Sequence, residues 1–284
     1  MNVINEEGNR NLKLFFMLTF MFAWLLWLPF VLYGFGILQL SATLQSLMMP
    51  SVALGAFSPL AAAVILILKK ERLPGLKRFF KRTMDFRIKP IYYLLAIVVP
   101  TLITAAAHYL VNIMKLDVLP DNLFPEDLKI PVIVLVIPYF IFILIAGGGQ
   151  EEFGWRGFAQ EPMQQRHGIL RGSILLGLIW SIWHLPLWFM PGEGHTYYSF
   201  LAFSIYTTSI SVIIGWYYNA SDKKMVIPWL IHAAGNVAVP FFPVLHLEPV
   251  PQPGYWVWTS LNVLVATSLS LWYMRANSKL SKAY

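Results

Sequence analysis

Long apolar runs separated by short polar or basic connectors dominate this 284-residue chain. A run of about 20 apolar residues is long enough for a helix to cross the hydrocarbon core. Such runs recur at approximately 13–35, 44–68, 91–114, 130–150, 169–190, 197–218, 225–243 and 254–274. The pattern predicts an all-α, polytopic membrane helix bundle of about eight transmembrane helices with both termini on one side. The first run follows Glu6, Glu7, Arg10 and Lys13; it is too long for a signal-peptide core and lacks a small-residue cleavage pattern, so it is expected to stay as a helix. Pro138 and the run Gly147-Gly148-Gly149-Gln150 are expected to kink or loosen the fourth helix, whereas Pro228 suits the first turn of the seventh. The stretch with Pro240, Pro243, Pro249, Pro251 and Pro253 reads as an outer loop.

Composition supports this picture: 57% of residues are hydrophobic, 12% are charged and the mean hydropathy is +0.60. No soluble stretch is long enough for another domain, so residues 1–284 form a single membrane domain. The net charge of +7 points to topology. Every Lys and Arg except Lys115 and Lys129 lies on the side that holds both termini, so the positive-inside rule predicts cytoplasmic termini. Anionic lipid contact is the second use of these bases, and nucleic acid is not an expected partner. The densest group, Lys69 to Lys89, includes Leu76-Lys77-Arg78-Phe79-Phe80-Lys81-Arg82, which suits either a short helix on the inner leaflet or a solvated connector. With no cysteine, disulfides and thiolate sites are excluded.

Three polar groupings stand out in this apolar setting, because ionisable groups near the bilayer core are costly and mark sites. The first is Glu151-Glu152-Phe153-Gly154-Trp155-Arg156. Glu152 and Arg156 are four apart and share a helix face, so they can pair, while Glu151 points about 100° away. One acid is thus less neutralised than the other, which suits a general base; a cytoplasmic interfacial loop with ordinary surface charges is the other reading of these residues. The second is Trp180-Ser181-Ile182-Trp183-His184, where His184 is the only ionisable residue between Arg171 and Glu193 and, taken alone, suits a hydrogen-bonded packing residue as well as a site. In the third, Ile231-His232-Ala233-Ala234-Gly235-Asn236, His232 and Asn236 share a face. They are suited to hydrogen-bonding a developing oxyanion, to ligating a metal, or to joining two helices. His108, His167, His195 and His246 lack such company and are expected to be structural. Signatures of zinc, serine and aspartyl intramembrane proteases are absent from the sequence.

The ordered set resembles the CPBP (CAAX protease and bacteriocin-processing, Abi) family of intramembrane proteases. Its Glu-Glu-x-x-x-Arg motif is met by Glu151, Glu152 and Arg156, its aromatic-x-x-x-His motif by Trp180 and His184, and its His-x-x-x-Asn motif by His232 and Asn236. Trp180 stands where phenylalanine is commoner in the family. The resemblance covers residues 130–240, which it marks as the catalytic core. It implies an endopeptidase at the cell membrane that hydrolyses a peptide bond in a membrane-associated protein or peptide, CAAX-like or bacteriocin- or pheromone-like. On this reading Glu151 activates water, His184 helps to hold it, His232 and Asn236 stabilise the oxyanion, and Glu152 with Arg156 orient the site. A zinc-dependent mechanism through the same residues and a metal-free glutamate mechanism are equally consistent with the resemblance. An ion-coupled transporter and a non-catalytic immunity or partner-binding protein are the alternatives.

One geometric demand follows. With simple spans Glu151 lies at the inner surface, whereas His232 is about 10 Å and His184 about 20 Å along their helices from it. For the three to meet, the fourth helix must continue past Gly149 and sit deeper than its apolar run implies, and the fifth must begin near Ser173 or later.

Overall fold

A computed structural model describes residues 2–125, 127, 130–146 and 148–280. Gly147 of the glycine run and the 281–284 end lie outside the described residues, as do Glu126 and Lys129 of the outer loop. The protein is an all-helical, multi-pass membrane protein. In chain order the α-helices are α1 (Asn2–Gly34), α2 (Ala42–Gln45), α3 (Met48–Gly55), α4 (Ser58–Thr83), α5 (Pro90–Ile113) and α6 (Val136–Ala146). They continue with α7 (Glu151–Gly154), α8 (Glu161–His167), α9 (Ile169–His184), α10 (Phe200–Ala220), α11 (Val226–Phe241) and α12 (Pro253–Leu280). A π-helical segment, Trp155–Gln160, joins α7 to α8.

Each apolar run seen in the sequence overlaps a helix, but the spans are less uniform than eight equal crossings. Among the described residues, four helices are long and apolar enough to cross a membrane, Arg10–Gly34, Pro90–Ile113, Ile169–Phe189 and Phe200–Ala220, and up to six spans result if two bent pairs each count as one. Those pairs are Ala42–Gly55 with Ser58–Thr83, bent by 48°, and Val132–Ala146 with Glu151–His167, bent by 43°. Helix α11 has only 16 residues, about 24 Å of rise against a core of about 30 Å. Helix α12 is long enough but carries Thr259, Ser260, Asn262, Thr267 and Ser270 along its middle.

Aromatic and aliphatic side chains knit the bundle. Phe15 and Trp27 of α1, Trp155 of the π segment, Leu176 and Trp183 of α9, Ile213 and Ile214 of α10, and Ile227 and Ile231 of α11 are all buried in one cluster. Lipid-level residues such as Leu25, Leu102, Ile137 and Leu201 stay exposed on the outside, as expected where the solvent is hydrocarbon. The basic stretch after Lys69 is a continuation of α4 past a kink at Arg72, whose φ of 55° lies in the left-handed region. Phe79 of this extension packs with Ile67 and Phe153, and Arg82 Nη2 donates to the Gly157 carbonyl at 2.6 Å.

Three basic connectors meet at that end of the bundle. Glu161 of α8 pairs with Arg82 at 3.5 Å and with Lys223 at 2.7 Å, and Asp85 pairs with Arg87 and Lys224. Hydrogen bonds from Arg87 first, and then from Lys224, hold the Asp85 carboxyl below its ordinary range. At the opposite end His246 Nε2 donates to Asp117 at 3.0 Å, and His108 Nδ1 donates to the Pro243 carbonyl at 2.8 Å.

Candidate active site

The chain breaks its helix just ahead of the first motif. Pro138 falls within the first turn of α6 and is accommodated there; the break comes at residues 148–150, where Gly148 has a φ of +117°. The fourth helix therefore does not run unbroken past Gly149. Trp229 Nε1 of α11 donates at 2.8 Å to the Leu144 carbonyl that the break leaves without a helical partner. Chain direction then resumes through α7, the π segment and α8, and this polar stretch is the second half of the same bent span.

That continuation meets the depth demand in a different way from the expected one. Helix α9 begins at Ile169, not at or beyond Ser173, because Gly168, with a φ of 78°, closes a tight turn directly after His167. Glu151 is sixteen residues before His167 and His184 is fifteen after Ile169, so at 1.5 Å per residue both lie about 23 Å from this turn. The two arms of one hairpin bring them level.

Glu151 is buried and its Oε2 accepts from Trp180 Nε1 at 2.8 Å. Glu152, fully buried, accepts through Oε1 from Arg156 Nη1 at 2.9 Å and from His232 Nδ1 at 2.8 Å. Arg156 is also fully buried, and its guanidinium carbon lies 4.7 Å from the centre of the Trp180 ring, a cation–π contact in a desolvated setting. Trp180 thus joins all three motifs, because its carbonyl also accepts from His184 Nδ1 at 2.9 Å and its ring meets that of His232 edge-on at 5.2 Å. Buried charges without such partners would cost several kcal/mol; here they are linked in a chain Arg156, Glu152, His232.

A cavity of about 540 Å³ sets the two acids apart. Glu151, His184, His232 and Asn236 line it, together with Gly148 and Trp180, whereas Glu152 and Arg156 stand behind its wall. With Nδ1–H of His184 and His232 committed to acceptors, Nε2 is the remaining ring nitrogen of each. A Cβ at Gly148 would stand 2.6 Å from His232 Nε2 and 2.8 Å from Asn236 Nδ2. Gly148→Ala is therefore expected to abolish activity at this cavity and to cost about 1–3 kcal/mol through its strained backbone. A thermal melt in detergent read beside a cleavage assay checks both, and wild-type activity in this variant would show that the wall does not matter.

No three His, Asp or Glu side chains among the described residues are grouped to hold a metal together, and zinc takes at least three protein ligands. The placement does not fit a zinc centre.

Of the histidines expected to be structural, His108 and His246 make the packing contacts described above and His167 is exposed. His195 differs, since it lines the same cavity with its ring stacked on that of His184 at 5.7 Å. Its neighbour Glu193 was the available signal, an acid two residues from a histidine in a loop otherwise rich in aromatic residues.

A membrane bundle that gathers a carboxylate, two imidazoles and a carboxamide around one cavity has the constitution of an intramembrane hydrolase. Residues 133–238 match the family model described as type II CAAX prenyl endopeptidase Rce1-like. The chain is 26% identical over 240 residues to CAAX prenyl protease 2 of Methanococcus maripaludis, covering 80% of this chain and 83% of that protein. It is 27% identical over 192 residues to lysostaphin resistance protein A of Staphylococcus haemolyticus, covering 65% of this chain and 47% of that protein, and so spans less than half of that relative. In its motif-bearing region the chain is thus similar to the CAAX prenyl endopeptidases, the group that the three motifs resemble, and over most of its length to a CAAX prenyl protease.

Proposed function

We propose that the protein is an intramembrane endopeptidase that hydrolyses a peptide bond of a membrane-associated protein by water activated at Glu151. The observation that carries this reading is the unequal treatment of the two acids: Glu152 is bound by Arg156 and His232 behind the wall, while Glu151 faces the cavity and is hydrogen-bonded by the neutral indole of Trp180. A carboxylate kept from a cationic partner retains its basicity toward water.

In the proposed reaction Glu151 takes a proton from a water that His184 accepts a hydrogen bond from through Nε2. The hydroxide oxygen bonds to the scissile carbonyl carbon, and the charge that develops on the carbonyl oxygen is met by Asn236 and by His232. A His232 protonated on both nitrogens keeps Nδ1–H on Glu152 while Nε2–H reaches the oxyanion; such preorganised donors act most strongly where water is excluded. Glu152 and Arg156 hold that imidazole in place. Residues 133–238 carry the whole arrangement, which supports a catalytic core at 130–240 within one membrane domain. The meeting of the basic connectors at the end where α4, α8 and α10 finish supports a cytoplasmic placing of that face.

The name of the archaeal relative supports a CAAX-like substrate, a chain tail held at the bilayer, ahead of a bacteriocin- or pheromone-like one. The staphylococcal relatives' name favours a second reading, a resistance or immunity role that the same fold would serve. Purified protein in liposomes, given a membrane-anchored reporter peptide in heavy-oxygen water, is expected to yield one cut whose new carboxylate carries one heavy oxygen. Intact reporter over a long incubation, with the protein folded, would overturn the peptidase reading and leave the second.

A further inference from the structure

The loop that joins α9 to α10 holds an acid and an imidazole that the three motifs do not include. Glu193 is only 7% exposed, and a buried carboxylate needs partners. Its side chain accepts from the backbone N–H of His195 at 2.6 Å and from His195 Nδ1 at 2.7 Å. Capping the short turn Gly194–Tyr197 requires only the first of these. The second fixes the ring, which lies nearly parallel to His184 with an interplanar angle of 27° and is walled by Trp188 at 4.8 Å and Phe203 at 5.4 Å. A carboxylate that holds Nδ1–H leaves Nε2 as the nitrogen for the cavity, and an imidazolium beside it is charge-balanced.

We infer that His195, steadied by Glu193, is a further catalytic residue, the donor of the proton to the nitrogen of the departing peptide. The inference rests on the peptidase reading above. An amine does not leave as its anion, so the carbon–nitrogen bond breaks only as the nitrogen gains a proton. His184 donates Nδ1–H to the Trp180 carbonyl and keeps Nε2 as the acceptor for water, while His232 commits Nδ1–H to Glu152 and Nε2–H to the oxyanion, so neither ring supplies it. In the step, the tetrahedral carbon releases nitrogen, the bonding pair stays on nitrogen, and the proton on His195 Nε2 moves to it. The neutral ring is recharged by the proton that Glu151 took from water, so water and amide give acid and amine with no co-reactant.

The test compares two bonds in one peptide framework, an amide and an ester with a nitrophenol leaving group that departs without a proton. His195→Asn retains an N–H for Glu193, and with it the loop, but removes the outer nitrogen. Its amide rate is expected to fall about 100-fold, while the ester rate falls much less, so that the amide-to-ester ratio drops at least tenfold with KM little changed. Glu193→Gln is expected to lower the ratio in the same direction. Equal loss on both substrates would assign His195 to structure and overturn the inference, as would amide cleavage at the wild-type rate. Wild-type protein that cleaves neither bond would instead sink the peptidase reading itself.

Discussion

Glu151→Gln is expected to lower peptide-bond cleavage by about 10²- to 10⁴-fold with folding and KM nearly unchanged. The amide oxygen of glutamine can still accept from Trp180 Nε1, which Glu151 does now at 2.8 Å, and the side chain has the same shape, so the hydrogen bond that joins the first two motifs survives. What is lost is the basic oxygen in the cavity. Wild-type turnover by the purified variant would remove Glu151 from the chemistry. Glu152→Gln is the instructive contrast, because that acid lies behind the wall and its loss should act through the position of His232 instead of through water activation.

Arg156→Met has the largest expected effect on stability, a loss of about 3–5 kcal/mol, since it leaves the fully buried Glu152 charge without its cation. Methionine fills much of the space under the Trp180 ring, so the loss measures charge more than volume. Adding Glu152→Gln to Arg156→Met is expected to restore much of that stability, because the amide oxygen of the introduced glutamine still accepts from His232 Nδ1 and no unpaired charge remains. Thermal melts of the two single variants and the double variant in one detergent check this. Additive losses would mean that the ion pair is not the reason for the cost.

The sequence displays the lipid-facing fold clearly, since residues such as Leu25, Leu26 and Leu28 of α1 and Leu94, Ile97 and Leu102 of α5 face outward and form long apolar runs whatever the bundle inside does. It is less informative where protein replaces lipid as the solvent. Residues Glu151 to His167 read as a loop by hydropathy because their polar side chains are counted one by one, whereas in the fold Arg156, Gln160 and Gln164 are buried by neighbours from distant parts of the chain. The start of α9 was legible, since the apolar run begins at Ile169; measuring straight spans from one surface is what moved it toward Ser173, and a helix was one of the two readings of the basic stretch that extends α4. The three motif groups were legible because an ionisable side chain within an apolar run is costly in lipid and persists only where it has a partner or a task. His195 was not, because it lies in a connector, where a histidine is ordinary until the loop is seen folded back onto His184.

Helix α7 opens directly after the break at 148–150 and runs without interruption into the π segment Trp155–Gln160. The first turn of a helix has N–H groups without intrahelical partners, and a π segment is a rare geometry that neighbours must support. The order of α7 is borrowed: Pro59 of α4 presses on Gly154, whose added Cβ would come within 2.4 Å of the Pro59 backbone, while Trp180 and His232 hold the two carboxylates. The turn that carries both acids is thus a piece of the protein assembled by others, and damage to any of those neighbours will silence the site well before it unfolds the bundle.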